Sequence, residues 1–324
     1  MIAAAASTTG FDPQEWGCRC DICPLGSAGC LREKEWRPVG PELHEGVGIL
    51  AVTESPGVDE VQVGRPLVGR SGREWVASLE AIGHHRPEID LANVICCKPP
   101  GQSSGAWLRM AKDLDRMNKD RARNGLEPVP HPATCCRPFL TNLASRYENI
   151  ITLGKTATTA LTGRHQSILA VRGGPIGVDE NFTVTDIDEA VHKVLPTLHP
   201  SFVLRSPGWR PVLHLDLGKA FRWFNNRLRW TDPEILWRPD AATLQQWLLQ
   251  PAPFHAYDVE TDGIEALTCG LRTIAIATPD LDIHGKAAKD ADAIVTPSRA
   301  VGVSFLSTDG HNRFYDSAME TQIR

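Results

Sequence analysis

The sequence predicts an α/β protein of three layers, with helices on both faces of a mostly parallel central sheet. Short apolar segments alternate with segments of helical periodicity, which is the pattern of such folds. No run of about 18 apolar residues is present, so no membrane-spanning segment is expected. A length of 324 residues exceeds the usual size of one hydrophobic core, which predicts a second domain.

Four short apolar segments predict the strands of the sheet, because each is bounded by turn-forming or polar residues. They are residues 48–53, 89–97, 149–153 and 191–198. The predicted helices, with apolar residues at helical spacing, are 73–82, 106–123, 139–147, 155–161 and 213–230. Strands that alternate with helices favour parallel pairing, since a parallel connection needs a long crossover.

The C-terminal part of the chain follows a different pattern. Residues 231–253 carry four prolines around a short helical segment and are typical of a linker. A new apolar strand begins at Phe254. We therefore expect a first domain at 1–230, a linker at 231–253 and the start of a second α/β domain at 254–324.

Polar residues stand at or near the ends of three predicted strands. Glu54 follows Thr53 at the end of the first strand, Asn93 lies in the second, and His199 follows the last. Ligands of parallel α/β sheets bind at the carboxyl ends of the strands, so these residues predict a site there. Each residue alone also has an ordinary structural interpretation, as a core histidine, a turn asparagine or a solvated glutamate.

The cysteines predict a metal centre. The N-terminus lacks the basic start and long apolar core of a signal peptide, so we expect a cytoplasmic protein with reduced thiols. The pair Cys20 and Cys23, with the distant Cys97 and Cys136, suits a tetrahedral zinc ion or an iron–sulfur cluster. The spacing alone leaves the metal open.

The contexts of these four cysteines resemble family 4 uracil-DNA glycosylases. They are Cys20-x-x-Cys23-Pro-Leu, Asn93-Val-Ile-Cys-Cys97-Lys-Pro-Pro and Cys136-Arg-Pro-Phe-Leu. The resemblance implies that the four thiolates bind a [4Fe-4S] cluster. It leaves the other five as buried or exposed thiols, namely Cys18, Cys30, Cys96, Cys135 and Cys269. Because neighbours on a strand point in opposite directions, we expect Cys96 and Cys135 to point away from the cluster.

Two more motifs resemble the active site of the same family. They are Thr53-Glu54-Ser-Pro-Gly57-Val-Asp-Glu60 with the following Gly64-Arg-Pro-Leu67-Val-Gly69, and Leu198-His199-Pro-Ser201. The resemblance covers roughly residues 15–230. It implies an enzyme that flips uracil out of DNA and hydrolyses the N-glycosidic bond, leaving an abasic site.

The resemblance also implies individual roles. His199 would donate to O2 of the departing uracil anion, and Asn93 would read the O4 and N3–H edge of the base. Glu54 and Glu60 would orient water or stabilise the sugar cation. Leu204 would wedge into the duplex and Arg205 would bind phosphate. Further contacts to the base or the DNA are implied for Ser55, Gly57, Leu67 and Ser201.

The chain departs from the family at two of these positions. Thr53 stands where the family has glycine, and Leu67 stands where it has an aromatic residue that stacks on uracil. Leucine offers apolar contact without a π-face, which predicts weaker binding of the base.

The second domain begins with Asp258-Val-Glu260-Thr-Asp-Gly, which resembles the first motif of 3′–5′ exonucleases of the polymerase A kind, with a ribonuclease H-like fold. Carboxylates at alternate positions of a strand share one face and could hold Mg²⁺. The alternative is an edge strand with solvated acids. Only the opening of such a domain lies in 254–324, so we expect this segment to lack exonuclease activity alone.

Charge also bears on the partner. The net charge is −5, yet residues 205–229 hold six basic residues against one acidic residue, Asp216. Such a local patch predicts DNA binding, with a solvated helix face as the alternative. We expect a monomer that binds uracil-containing DNA. The rival hypotheses are a non-catalytic iron–sulfur module that tethers an exonuclease or polymerase to DNA, and a zinc-stabilised nucleic-acid binder.

Overall fold

The computed structural model describes residues 11–26, 37–101, 106–227, 234–250, 256–261, 271–279 and 297–304. Internal contacts divide the chain into two compact units, Met1–Phe224 and Asn225–Arg324. Among the helices of the described ranges, none is long and apolar enough to cross a membrane.

The first unit is built on a six-stranded sheet. Its strands are β1 (Ile49–Thr53), β2 (Asp90–Asn93), β3 (Asn149–Leu153), β4 (Ile176–Val178), β5 (Val184–Thr185) and β6 (His192–Thr197). Their order is β2-β1-β3-β6-β4-β5. The first four in this order pair in parallel, and β4 and β5 add an antiparallel edge. The predicted α/β class with a mostly parallel sheet is therefore confirmed for this unit.

Eight helices connect the strands in the described part of this unit. They are α1 (Val58–Val63), α2 (Arg70–Glu80), α3 (Ala106–Arg123), α4 (Pro132–Ala144), α5 (Lys155–Thr162), α6 (Ile168–Val171), α7 (Pro200–Arg205) and α8 (Arg210–Phe224). The central strands are buried on both faces, and Leu50, Ile150 and Val194 have no exposed surface. This is why their sequences read as continuous apolar runs.

Two elements differ from the sequence-based expectation. Strand β2 ends at Asn93, and residues 94–97 form a bend. Helix α4 begins at Pro132, seven residues before the predicted start, because the side chain of His131 caps its N-terminus by accepting from Ala133 N. The apolar residues of 89–97 remain buried in the bend, so their hydrophobicity alone could not mark the end of the strand.

The second unit contains a four-stranded sheet. Its strands are β7 (Glu234–Trp237), β8 (Ala256–Thr261), β9 (Leu271–Pro279) and β10 (Pro297–Ser304), in the order β7-β10-β9-β8, and α9 spans Ala241–Leu248. Strand β7 pairs in parallel with β10. The segment expected as a linker, 231–253, therefore contains a strand and a helix of this unit. The prolines that suggested a linker, Pro233 and Pro239, flank the short strand.

Candidate active site and cysteine centre

The candidate active site lies at the carboxyl ends of β2, β1, β3 and β6. Thr53 and Asn93 are register partners at the ends of β1 and β2. At the end of β3, Gly154 N donates to Thr197 O of β6 at 2.8 Å. Since these four strands are neighbours and parallel, their ends meet at one edge, and His199 follows two residues after Thr197.

His199 is the N-cap residue of α7, and three hydrogen bonds hold its ring. Its Nδ1 accepts from Ser201 N at 3.0 Å and lies 2.8 Å from Ser201 Oγ. Its Nε2 lies 2.8 Å from Thr53 Oγ1. Because a backbone N–H can only donate, Nδ1 is unprotonated and the ring carries its proton on Nε2 when neutral. Ser201 therefore orients His199 in addition to any contact with DNA.

Two effects keep this ring neutral. Burial lowers the pKa of His199 to about 4, and the positive charge of Arg205 acts in the same direction. Neutral imidazole at neutral pH offers a hydrogen bond through Nε2–H without bringing a positive charge into the site.

Asn93 carries an unused hydrogen-bond donor. The residue is buried at the end of β2, and its Nδ2 has no hydrogen-bond partner among the described residues. Leaving a buried amide unpaired costs about 1–3 kcal/mol. Such a group at a strand end is typical of a site that hydrogen-bonds a ligand.

Glu54 is the carboxylate of the site with a perturbed pKa. Burial raises its pKa above the ordinary value, and a hydrogen bond from the side chain of Thr156 acts in the opposite direction. Thr156 lies in the first turn of α5, directly after β3. Sequence reasoning missed Thr156, although its position just past a strand end was a usable signal.

Glu60 has a different use from the predicted catalytic one. Its Oε2 accepts from Gly57 N at 2.9 Å, and its Oε1 accepts from Val68 N at 3.2 Å and Gly69 N at 3.1 Å. The buried carboxylate thus ties the start of α1 to the loop before α2. Gly57 is required for this contact, since a β-carbon there would lie 2.5 Å from Oε2. With both oxygens engaged, Glu60 positions backbone.

Leu67 lies in the loop that Glu60 holds. Its backbone is left-handed, with a φ of 49°, and its side chain is buried. Arg86 donates to its carbonyl at 2.6 Å. The side chain lines an open surface pocket beside Val76 and Ala77 of α2, and neither His199 nor Asn93 lines that pocket.

The remaining predicted contact residues surround the site. Arg205 ends α7 and is exposed, whereas Leu204 of the same helix is half-buried. Ser55 is half-buried in the turn after β1. These positions agree with the expected roles in DNA contact, and they carry no further geometric test.

Sequence analysis treated Asp216 only as the acidic member of a basic segment. In the structure it is fully buried and accepts from Thr197 Oγ1 at 2.8 Å and from Arg172 Nε at 2.7 Å. It therefore anchors the end of β6, two residues before His199. Arg210 of the same segment is paired with Glu74 of α2, with Nε 2.7 Å from Oε1. Part of the basic patch is thus used within the fold.

Three segments bring cysteines together. Cys18, Cys20 and Cys23 lie in a turn-rich segment whose Arg19 N donates to Cys135 O at 2.8 Å. The other two segments are the bend after β2 and the start of α4. Among the described residues, the Sγ atoms of Cys18, Cys96 and Cys136 lie within 4.8 Å of one another. Hydrogen bonds from Cys18 and then Cys96 lower the pKa of Cys136. A buried set of sulfur donors is suited to a thiolate-bound metal.

The expectation that Cys96 and Cys135 point away from the centre is wrong. Cys96 Sγ lies 4.0 Å from Cys18 Sγ, and a hydrogen bond from Cys135 is the main cause that lowers the pKa of Cys23. Alternation of side chains applies to extended strands. Cys96 lies in a bend beyond β2 and Cys135 lies in a helix, so the argument did not apply to either. Of the four predicted ligands, Cys136 belongs to the close group of three sulfur atoms.

Asp258 and Glu260 lie on β8 in the second unit, but their side chains are outside the described residues. Cys30 and Cys269 are also outside them. The Mg²⁺ site and the exonuclease resemblance therefore stay predictions, and the comparisons below give them no support.

Comparisons with known proteins agree with the first unit. The family model described as the uracil DNA glycosylase superfamily matches residues 41–229. A type-4 uracil-DNA glycosylase of Thermotoga maritima is 30% identical over 207 residues, which is 62% of this chain and 88% of that protein. Type-4 enzymes of Pyrobaculum aerophilum and Sulfurisphaera tokodaii are 26% and 27% identical, over 62% and 59% of this chain and 88% and 78% of theirs. This chain belongs to the uracil DNA glycosylase superfamily.

Proposed function

We propose that the protein is a DNA-repair glycosylase that flips uracil out of DNA and hydrolyses its N-glycosidic bond, leaving an abasic site. The observation that carries the proposal is the pairing of an unpartnered buried amide, Asn93 Nδ2, with a neutral histidine donor at one edge of the sheet. Uracil presents carbonyl oxygens to such donors.

The chemistry follows from these groups. The bond breaks through an oxocarbenium-like state, and uracil leaves as an anion. His199 Nε2–H donates to the O2 that gains this charge, and a preorganised donor of this kind is worth about 2.7–4 kcal/mol. Asn93 binds the O4 and N3–H edge, which cytosine does not match. Glu54, as a carboxylate, orients the water or stabilises the sugar cation.

The cysteine centre fits a sulfur-bound metal, and we propose a [4Fe-4S] cluster held by Cys20, Cys23, Cys97 and Cys136. All four lie in the three segments that meet at this centre. When bound, a cluster would cross-link these segments. Cys97 follows Asn93 by four residues, so such a link would also stabilise the turn beside the base-reading amide.

The rival hypothesis of a non-catalytic tether for an exonuclease or polymerase finds no support in the comparisons. The family match ends at residue 229 and the relatives it resembles are named as glycosylases. We retain DNA as the partner, a monomer as the active form and the cytoplasm as the location within the proposal.

Release of free uracil is the direct test. Labelled oligonucleotides that contain one uracil, in single- and double-stranded form, are incubated with the full chain, and free uracil and alkali-labile sites are measured. Matched oligonucleotides with cytosine or thymine are the controls. We expect release from uracil alone. Tight binding of the oligonucleotide with no release would refute the enzyme and favour the binding module.

A further inference from the structure

One hydrogen bond of the site involves a residue with no role in the proposed reaction. Thr53 is buried at the end of β1, and its Oγ1 lies 2.8 Å from His199 Nε2. Since Nδ1 accepts from Ser201 N, the only proton of the neutral ring is on Nε2. Thr53 Oγ1 therefore accepts the hydrogen bond that His199 has available.

The ring does not depend on Thr53 for its orientation. Nδ1 is held by the backbone N–H and lies 2.8 Å from the hydroxyl of Ser201. The other side of the residue is confined by Gly154, where a β-carbon would lie 3.2 Å from His199 Cβ. Removing the Thr53 hydroxyl would thus leave His199 in place with a free donor.

The two base-binding donors consequently differ in their state. Asn93 Nδ2 has no partner among the described residues, whereas the Nε2–H of His199 is already used within the protein. A carbonyl oxygen of a ligand can bond to Nε2–H only by replacing Thr53 Oγ1. Threonine in a strand has few χ1 rotamers, so its hydroxyl cannot move aside freely.

We propose that Thr53 is a specificity-determining residue whose hydroxyl occupies the acceptor position that uracil O2 must take on His199, and so weakens binding of the base. The inference rests on the proposed function, because it names the acceptor that the substrate displaces. Thr53 acts on the substrate by competition and does not itself take part in the reaction.

The test measures binding of free uracil by calorimetry and uracil release, on the full chain and four variants. Thr53→Ala removes the competing acceptor and Thr53→Ser retains it. Thr53→Gly is a second removal, needed if alanine destabilises the strand end. Thr152→Ala is the matched control, because Thr152 is also a buried strand threonine, but its hydroxyl bonds to Thr158 at 2.8 Å.

We expect Thr53→Ala and Thr53→Gly to bind uracil about three- to tenfold more tightly than the unchanged chain, which is the range of one net hydrogen bond. Thr53→Ser and Thr152→Ala should bind like the unchanged chain. Equal or weaker binding by folded Thr53→Ala and Thr53→Gly overturns the inference, and recovery by serine alone would show that the hydroxyl orients the ring. If the unchanged chain neither releases uracil nor binds it, the proposed function fails and the inference falls with it. If it releases uracil and alanine gives no gain, only the inference fails.

Discussion

Gly154 lies directly against His199: a β-carbon at Gly154 would stand 3.2 Å from the Cβ of the histidine. The backbone of Gly154, with φ 88° and ψ 174°, is in a region that is accessible almost only to glycine. The turn after β3 thus lets α5 begin while the candidate donor after β6 packs against it.

We expect Gly154→Ala to lower kcat for uracil release about tenfold or more, because the new methyl group displaces His199. Backbone strain of about 1–3 kcal/mol should also lower Tm. Gly163→Ala is the control, since Gly163 has a φ of 67° but open space around it. That variant should lose stability and keep its kcat. Equal loss of kcat in both variants would show that the effect is general destabilisation.

Replacing the donor itself tests its role in the reaction. We expect His199→Ala to slow uracil release at least about a hundredfold, as loss of one preorganised donor typically does. Single-turnover assays at saturating DNA measure this step without the binding step. His165→Ala, which changes an exposed histidine, is the control and should have no effect. Unchanged turnover of His199→Ala would exclude it as the donor.

The pH dependence of kcat should follow Glu54. Its raised pKa means that the carboxylate is lost as the pH falls through a value above the ordinary one near 4.5, and the rate should fall with it. His199 titrates near 4, so no change of rate is expected around pH 6.5.

Thr156→Val removes the hydrogen bond that lowers the pKa of Glu54, so the acid limb of the profile should move to higher pH. Thr159→Val is the control, since its hydroxyl bonds to Arg164 O at 2.7 Å. A profile of Thr156→Val that coincides with that of the control would remove Glu54 as the group that titrates.

Neighbouring cysteines allow the ligand set to be tested. We expect Cys97→Ser and Cys136→Ser to lose bound iron and the visible absorption of the purified protein. The paired changes Cys96→Ser and Cys135→Ser should retain both. Because a metal that binds only the folded state stabilises it, loss of the cluster should also lower Tm. Loss of iron in Cys96→Ser with retention in Cys97→Ser would instead assign the centre to the close group of Cys18, Cys96 and Cys136.

For Leu67 the structure favours packing over stacking on the base, since the side chain is buried beside α2. We expect Leu67→Phe to destabilise the protein by about 1–3 kcal/mol through overpacking, with no gain in kcat/KM. Melting curves and kcat/KM are measured together. A gain of roughly fivefold or more in kcat/KM, within the range for stacking on a base, would return Leu67 to the base-binding site.

Several features of the site could be predicted without the structure. Hydrophobic periodicity located the four parallel strands to within a few residues, and parallel neighbours end at one edge of a sheet. Thr53, Asn93 and His199 were therefore expected together before any distance was known. The hairpin of β4 and β5 was missed, because strands of three and two residues leave no periodic pattern.

The sequence by itself determined which residue types stand at the strand ends and that the chain holds a cysteine centre, because both depend on local pattern and motif spacing. Only the tertiary structure decided which atoms meet. Thr53 Oγ1 reaches His199 Nε2 across 146 positions, and Glu60 uses both oxygens on backbone N–H groups of its own loops. The same holds for Cys96, whose direction is set by a bend after β2. Such contacts depend on rotamers and on the packing of distant segments, which short-range periodicity does not encode.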